Sequence, residues 1–156
     1  MQLGELTTIG YQGASLEAFL ATLKSAGVTL LLDIRELPIS RRAGFSKTPL
    51  SQALESAGIA YRHEKSLGTP RRIRYRHRQD RNLESFFAEY RAHLATQTAL
   101  LDELARTLEG NVTLMCFERD PAECHRSVVV AELAARAGSA FRHLYSEPLD
   151  SACTGP

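Results

Sequence analysis

The stretch from Thr113 to Val130, TLMCFERDPAECHRSVVV, carries more reactive side chains than any other part of this sequence. An apolar run leads into a short polar loop, and a second apolar run with helical character follows it. Three of its residues are candidates for catalysis: Cys116 as a nucleophile or redox thiol, Glu118 as a general base, and His125 as a carrier of a proton near neutral pH. The start of a helix beside such a loop also favours an anion, because its first N–H groups are unpaired.

Several interpretations of Cys116 remain open at this stage. A free cysteine is most often a small buried core residue. A disulfide with Cys124 is compatible with the sequence, although spacing alone does not define its geometry. A metal site made of Cys116, Cys124 and His125 is disfavoured, because C-x7-C-H is not a usual ligand spacing and no fourth Cys or His stands nearby. We therefore predict neither a metal nor a cofactor.

The common catalytic and nucleotide-binding loops are missing from the sequence. A phosphatase-type Cys-x5-Arg loop starting at Cys116 would need arginine at position 122, where the chain has Ala122. A short rhodanese-type loop closing near Pro121 also fits poorly. Neither the phosphate-binding pattern GxxxxGK(S/T) nor the dinucleotide fingerprint GxGxxG occurs.

Cationic residues follow two of the predicted strands and form a second candidate site. Arginine binds phosphate or carboxylate with two parallel hydrogen bonds, so these side chains are suited to an anionic ligand. The alternative is that Arg35 and Arg126 form structural ion pairs with nearby acidic residues. The residues predicted to bind the anion are Tyr11, Arg35, Arg41, Arg42, Lys47, Arg119 and Arg126.

The elements that must position these residues have the order of an α/β domain. Short apolar runs at 6–10, 28–34, 59–63, 111–117 and 141–145 predict five strands, and the segments between several of them have helical periodicity. Strand, helix and strand in succession favour parallel pairing. We predict one α/β domain over residues 1–156, a three-layer Rossmann-like fold with a mainly parallel sheet of about five strands, and a frayed tail from about residue 147. The loops after Gly10, Ile34 and Met115 should then converge at one sheet edge, where such folds bind ligands.

The segment from Glu64 to Arg81 is predicted to be a long irregular loop, which in a compact domain is usually functional or disordered. Residues 1–82 hold 13 Lys and Arg against 7 Asp and Glu, whereas residues 83–156 hold 6 against 11. This asymmetry suggests one basic face. The alternative function is thus a non-catalytic nucleic-acid-binding module that uses six arginines of this segment: Arg71, Arg72, Arg74, Arg76, Arg78 and Arg81.

Composition and hydropathy pattern indicate the cellular compartment. No apolar run approaches the roughly 18 residues of a membrane span, and the N-terminus lacks the pattern of a signal peptide. Three cysteines without a framework spacing fit a reducing compartment, so we expect a cytoplasmic protein that has no membrane partner. The predicted partner is an anionic ligand, with nucleotides and nucleic acid as candidates. Neither the substrate nor the oligomeric state follows from the sequence.

Four motifs together resemble a known family. TTIGYQG, LLLDIRELPISRRAGFSK, IAYRHEKSLGTPR and LMCFERDPAECHR stand in the order and similar spacing of the domain of unknown function 488, over roughly Thr7 to Tyr145. The resemblance implies a Rossmann-like α/β fold and a prokaryotic cytoplasmic protein, but no established activity. The chain departs from the pattern at Thr69, where a second glycine is frequent, and at Phe117, where a small residue is common. The matching positions are Tyr11, Asp33, Arg35, Pro38, Ser40, Arg41, Phe45, Leu67, Gly68, Cys116, Glu118, Pro121, Cys124, His125 and Arg126.

Overall fold

Five parallel strands form the centre of the fold in the computed structural model, which describes residues 2–147. The strands are β1 (Leu3–Gly10), β2 (Leu30–Asp33), β3 (Ala60–His63), β4 (Gly110–Cys116) and β5 (Phe141–Leu144). The helices are α1 (Leu16–Ser25), α2 (Lys47–Ser56), α3 (Arg71–Asp80), α4 (Leu83–Leu94), α5 (Thr98–Thr107) and α6 (Arg126–Ala137). The sheet order is β3-β2-β4-β1-β5, and every pairing is parallel. The predicted α/β class and five-stranded sheet are confirmed.

Alternating side chains of the strands pack on two separate helical layers. On one face Leu6, Leu32 and Leu114 join a cluster with side chains of α4, α5 and α6. On the other face Ile9 and Leu31 join a cluster with side chains of α1 and α2. Because successive residues of a strand point to opposite faces, strands that are apolar on both faces require helices on both sides. The result is the predicted three-layer arrangement.

Side-chain caps mark the starts of two helices, α1 and α4. The side chain of Ser15 accepts a hydrogen bond from Ala18 N at 3.1 Å, and Asn82 accepts one from Ser85 N at 3.1 Å. Helix α2 begins at Lys47, and Ser46 occupies its N-cap without a side-chain capping hydrogen bond. The Ser46 hydroxyl instead donates to Ser40 O at 3.2 Å, which ties the preceding loop to the helix.

The prediction that Glu64 to Arg81 is irregular is wrong. A 3-10 turn at Lys65–Leu67 and the helix α3 occupy most of it. Arginine is a good helix former, and the helix anchors itself through the fully buried Ile73. Ion pairs with acidic residues also reduce the repulsion between neighbouring arginines: Arg74 binds Glu36 at 2.6 Å, and Arg76 binds Asp80 and Glu89.

The helix predicted beside the loop that follows β4 begins only at Arg126. Pro121–Glu123 is a separate 3-10 turn capped by Asp120, and the extended backbone of Cys124 separates it from α6, which starts at Arg126. The first N–H groups of α6 bind Cys124 and His125. This helix start therefore offers no free N–H groups to a ligand at its first residues.

Two further sequence predictions concern the C-terminal tail and membrane-spanning segments. The predicted frayed tail, from about residue 147, falls almost entirely outside residues 2–147. Among the helices of those residues, none combines the length and apolarity that crossing a membrane requires.

Candidate functional site: an arginine-lined cleft

The loops after β1 and β4 are joined along the carboxyl edge of the sheet. Tyr11 N donates to Cys116 O at 3.2 Å, and Gln12 N donates to Phe117 O at 2.8 Å. The approach is so close that a Cβ at position 10 would lie 1.7 Å from the backbone oxygen of Glu118. Glycine is therefore required at Gly10 for the two loops to meet.

Arg35 is buried at this edge and is already occupied by protein partners. Its guanidinium donates to both carboxylate oxygens of Asp33 at 2.9 and 2.7 Å, to Tyr11 Oη at 3.2 Å and to Phe45 O at 2.7 Å. Tyr61 Oη donates to the same carboxylate at 2.6 Å. Burial opposes the charge of Arg35, but the hydrogen bonds and attraction from Asp33 outweigh it and raise its pKa. Arg35 thus positions Tyr11 and the loop that starts at residue 35.

Arg126 is fully buried beneath the loop that follows β4. Its Nε donates to Thr8 Oγ1 at 3.0 Å, Nη2 donates to Arg119 O at 3.0 Å, and Nη1 donates to Glu118 O. Burial lowers the pKa of Arg126 to about 10, which still leaves it charged at neutral pH. Because its donors bind Thr8 and two backbone carbonyls of the loop, Arg126 holds the loop in place and does not line the cleft.

Cys116 and Cys124 are joined by a disulfide. The sulfur of Cys116 is therefore not a free thiol in this state. Glu118 Oε2 lies 3.5 Å from that sulfur, and burial raises the pKa of Glu118 despite the opposing charge of Arg126. A carboxyl group with a raised pKa is suited to taking up and releasing a proton.

His125 is a buried neutral imidazole. Its Nε2 lies 2.8 Å from Ile34 O, and a carbonyl only accepts hydrogen bonds, so Nε2 carries the proton and Nδ1 does not. Burial lowers the pKa of His125 to about 4. The expected proton carrier is therefore uncharged at neutral pH.

One helical face of α3 borders the same edge of the sheet. Arg71, Arg74 and Arg78, spaced by three or four residues on this face, line the cleft with the strand ends, and Arg81, which follows the end of the helix, lines it too. Tyr75 lies between them, with the guanidinium carbons of Arg71 and Arg78 at 4.9 and 5.3 Å from its ring centre. Arg72 and Arg76 do not line the cleft, and Arg76 is engaged in ion pairs.

The resulting cleft has a volume of about 1560 Å³. Among the described residues, seven arginines and three glutamates line it, so it is strongly basic. Five of the seven large apolar side chains that are exposed in residues 2–147 also line it, namely Leu37, Ile39, Tyr75, Leu83 and Phe117. Exposed apolar side chains gathered in one place mark a binding surface more often than scattered ones do.

The remaining predicted site residues differ in position. Arg41 is exposed at the cleft, and Arg42 lines it while donating to Ala14 O at 3.0 Å. Lys47 and Arg119 do not line the cleft. The guanidinium of Arg119 instead lies 5.6 Å from the ring centre of Tyr145 and donates to Ser146 O.

Sequence reasoning missed the apolar part of the cleft. Leu37 and Ile39 occupy a loop in which apolar residues have no periodicity, and Leu83 lies at the start of α4, whose side chains Tyr90 and Leu94 pack in the core. The sequence signal for this surface was the presence of large apolar residues, such as Leu37 and Ile39, in otherwise polar segments. Only the fold brings these segments to one place.

Comparison with known proteins identifies the family to which the chain belongs. Residues 15–133 match the family described as domain of unknown function DUF488, and this chain is a member of it. Comparison with curated proteins and with solved structures gave no match. The family confirms the resemblance seen in the sequence and assigns no activity.

Proposed function

We propose that the cleft binds the phosphates and bases of a nucleotide, either free or at the end of a nucleic-acid strand. The observation that carries this proposal is the meeting of the α3 arginines with the strand ends in one cleft. The sequence suggested two separate functions, a pocket for a phosphorylated ligand and a basic surface for nucleic acid. In this proposal a single cleft serves both.

The charge of the cleft supports an anionic ligand. Arg41, Arg71, Arg78 and Arg81 form no ion pair with any carboxylate of residues 2–147, whereas Arg35 and Arg74 do. Unpaired guanidinium groups repel one another across a shared cleft, and a bound phosphate relieves this repulsion.

The exposed aromatic side chains support a ligand with flat rings. Tyr75 is 46% exposed and Phe117 is 43% exposed, and both line the cleft. Proteins that bind single-stranded nucleic acid combine a basic groove with aromatic side chains on which bases stack. Inorganic phosphate would use the arginines but not the aromatic rings.

The size of the cleft favours more than one nucleotide. Sites for small molecules typically span about 300–1000 Å³, and this cleft is larger. A short single-stranded end carrying a phosphate would fill it better than a mononucleotide.

Fluorescence anisotropy with a 5′-phosphorylated single-stranded oligonucleotide tests the proposal. Arg71→Ala combined with Arg78→Ala should weaken binding at least roughly tenfold, and should reduce the slope of log K against log salt by about 1.4, since two phosphate contacts are lost. The control is Arg91→Ala combined with Arg106→Ala, which removes the same charge from exposed positions outside the cleft. Equal weakening in both double variants would reject the cleft as the binding site.

Competition assays separate the possible ligands. A mononucleotide that competes as well as the oligonucleotide would indicate a free nucleotide as the ligand. An oligonucleotide that competes equally with and without its terminal phosphate would indicate a strand rather than a strand end. No binding of any of them at low salt would overturn the proposal.

The cellular setting stays a prediction of the sequence. We retain a prokaryotic, cytoplasmic protein as part of this proposal, because the family resemblance implies both and three cysteines in no framework spacing fit a reducing compartment. In such a compartment the Cys116–Cys124 disulfide would exchange with dithiols.

A further inference from the structure

Three buried side chains beside the cleft have the composition of a metal site. Cys116 Sγ, Cys124 Sγ and one ring nitrogen of His125 all lie within 4.8 Å of one another. Thiolate and imidazole ligands are those that zinc prefers in proteins. The unusual spacing in the sequence argued against such a site, but the fold brings Cys116 at the end of β4 to the turn before α6, which carries the other two residues.

The orientation of His125 matches that of a metal ligand. Its Nε2–H donates to Ile34 O at 2.8 Å, and its unprotonated Nδ1 lies 3.7 Å from Cys124 Sγ. Histidine ligands typically donate their second ring N–H to a carbonyl or carboxylate, which fixes the tautomer and the direction of the free nitrogen. The lone pair of Nδ1 is thus held toward the two sulfurs.

Both sulfurs also receive N–H groups from Arg126. Its backbone N lies 3.4 Å from Cys124 Sγ, and its Nη1 lies 3.4 Å from Cys116 Sγ. Donors and positive charge of this kind stabilise thiolates, the form in which cysteine binds metals. The Cα atoms of the two cysteines are 7.5 Å apart. This separation accommodates two ligands of one tetrahedral zinc ion, whose sulfurs lie about 3.8 Å apart at a Zn–S distance of about 2.3 Å.

We propose that, after reduction of the disulfide, Cys116, Cys124 and His125 Nδ1 bind one thiophilic divalent cation of the zinc type. A dithiol supplies the two electrons and two protons that convert the disulfide into two thiols, and is itself oxidised to a disulfide. Binding of the cation then releases the two thiol protons. The disulfide and the metal-bound form exclude each other because both use the same sulfurs.

A fourth ligand of the bound cation would come from the cleft, which two of the three proposed protein ligands line. Cys116, Glu118 and His125 line the cleft, and Glu118 Oε2 is 3.5 Å from Cys116 Sγ. Three protein ligands with one position open to water or ligand are typical of catalytic rather than structural zinc. The inference is independent of nucleotide binding, since it rests on the sulfurs and the imidazole alone.

Cobalt substitution tests this site directly. The full chain is reduced with a phosphine, freed of reductant under anaerobic conditions and titrated with Co²⁺. We expect one equivalent to bind, with a thiolate-to-cobalt charge-transfer band and the visible bands of tetrahedral cobalt, and Zn²⁺ to abolish both. Cys116→Ser and Cys124→Ser should each lose most of the charge-transfer band, whereas Cys153→Ser, the matched control, should keep it. A reduced, folded wild type without the band would overturn the proposal, as would loss of the band in Cys153→Ser alone.

Alkylation gives a second readout that needs no variant in the buried site. In reduced wild type, Zn²⁺ should protect Cys116 and Cys124 from iodoacetamide while Cys153 remains reactive, as mapped by mass spectrometry. Equal modification of Cys116 and Cys124 with and without Zn²⁺ would contradict the proposal.

Discussion

The guanidinium of Arg126 donates hydrogen bonds to the sulfur of Cys116, the last residue of β4, at 3.4 Å and to the backbone oxygen of Glu118, two residues further along the chain. The buried Arg126 side chain thus contacts two residues that line the cleft, Cys116 and Glu118. The sequence indicated an arginine that binds the ligand, whereas the geometry indicates an arginine that holds the site together.

Replacement of Arg126 should therefore lower stability strongly. Arg126→Met keeps much of the side-chain volume but leaves the oxygens of Thr8, Glu118 and Arg119 without this donor. Each buried polar group left unsatisfied costs about 1–3 kcal/mol, so the free energy of unfolding should fall by about 3 kcal/mol or more. Urea denaturation measures it, with the exposed Arg106→Ala expected to stay within about 0.5 kcal/mol of wild type. If Arg126→Met also stayed within about 0.5 kcal/mol of wild type, Arg126 would not have the proposed structural role.

The fold and the site edge were predictable because their signals are local. Continuous runs such as Leu30 to Leu32 predict buried strands, and parallel strands deliver their following loops to one edge. The helical state of α3 was not predictable by periodicity, since Ile73 is its only fully buried apolar residue and the stabilising partners Glu36 and Glu89 are distant in sequence. Nor does sequence distinguish the buried, paired Arg35 from the exposed Arg41, because burial depends on the whole fold.

Anions should stabilise the wild type through the unpaired arginines. At ten times the dissociation constant, sulfate or phosphate adds about 1.4 kcal/mol to the free energy of unfolding, because it binds only the native state. Arg41→Ala combined with Arg78→Ala should reduce this gain, measured as the anion-dependent rise in melting temperature. Arg91→Ala combined with Arg106→Ala should retain it. If the variant with Arg41→Ala and Arg78→Ala kept the full anion-dependent rise in melting temperature, the anion would bind elsewhere on the protein.

Tyr75 should contribute stacking rather than hydrogen bonding. Tyr75→Ala should weaken oligonucleotide binding by about 1–3 kcal/mol, the usual value for one base stacked on an aromatic ring. Tyr75→Phe keeps the ring and should bind nearly as well as the wild type. Anisotropy titrations at a single salt concentration measure both variants. If Phe is as harmful as Ala, the hydroxyl rather than the ring carries the contact.

Acid should destabilise the protein through His125. Its pKa is lowered to about 4 in the folded state, against an ordinary value of 6.5. Between these values the unfolded chain binds a proton that the folded chain does not, so stability falls as pH drops from about 6.5 to about 4, by about 3 kcal/mol in total.

Two substitutions separate this effect from that of Glu118. His125→Gln should flatten the fall in unfolding free energy between pH 7 and pH 4. The raised pKa of Glu118 acts in the opposite sense, since its protonated form is favoured in the folded state, so Glu118→Gln should make the fall steeper. An unchanged slope in His125→Gln would show that other groups govern acid sensitivity.

A crystal structure of the protein with a 5′-phosphorylated dinucleotide tests the central claim most directly. We expect phosphate oxygens within hydrogen-bond distance of at least two of Arg41, Arg71, Arg78 and Arg81. We also expect a base stacked on Tyr75 or Phe117, with Arg35 and Arg126 still bound to their protein partners. Density for the dinucleotide on another surface, or an empty cleft at saturating ligand, would contradict the claim.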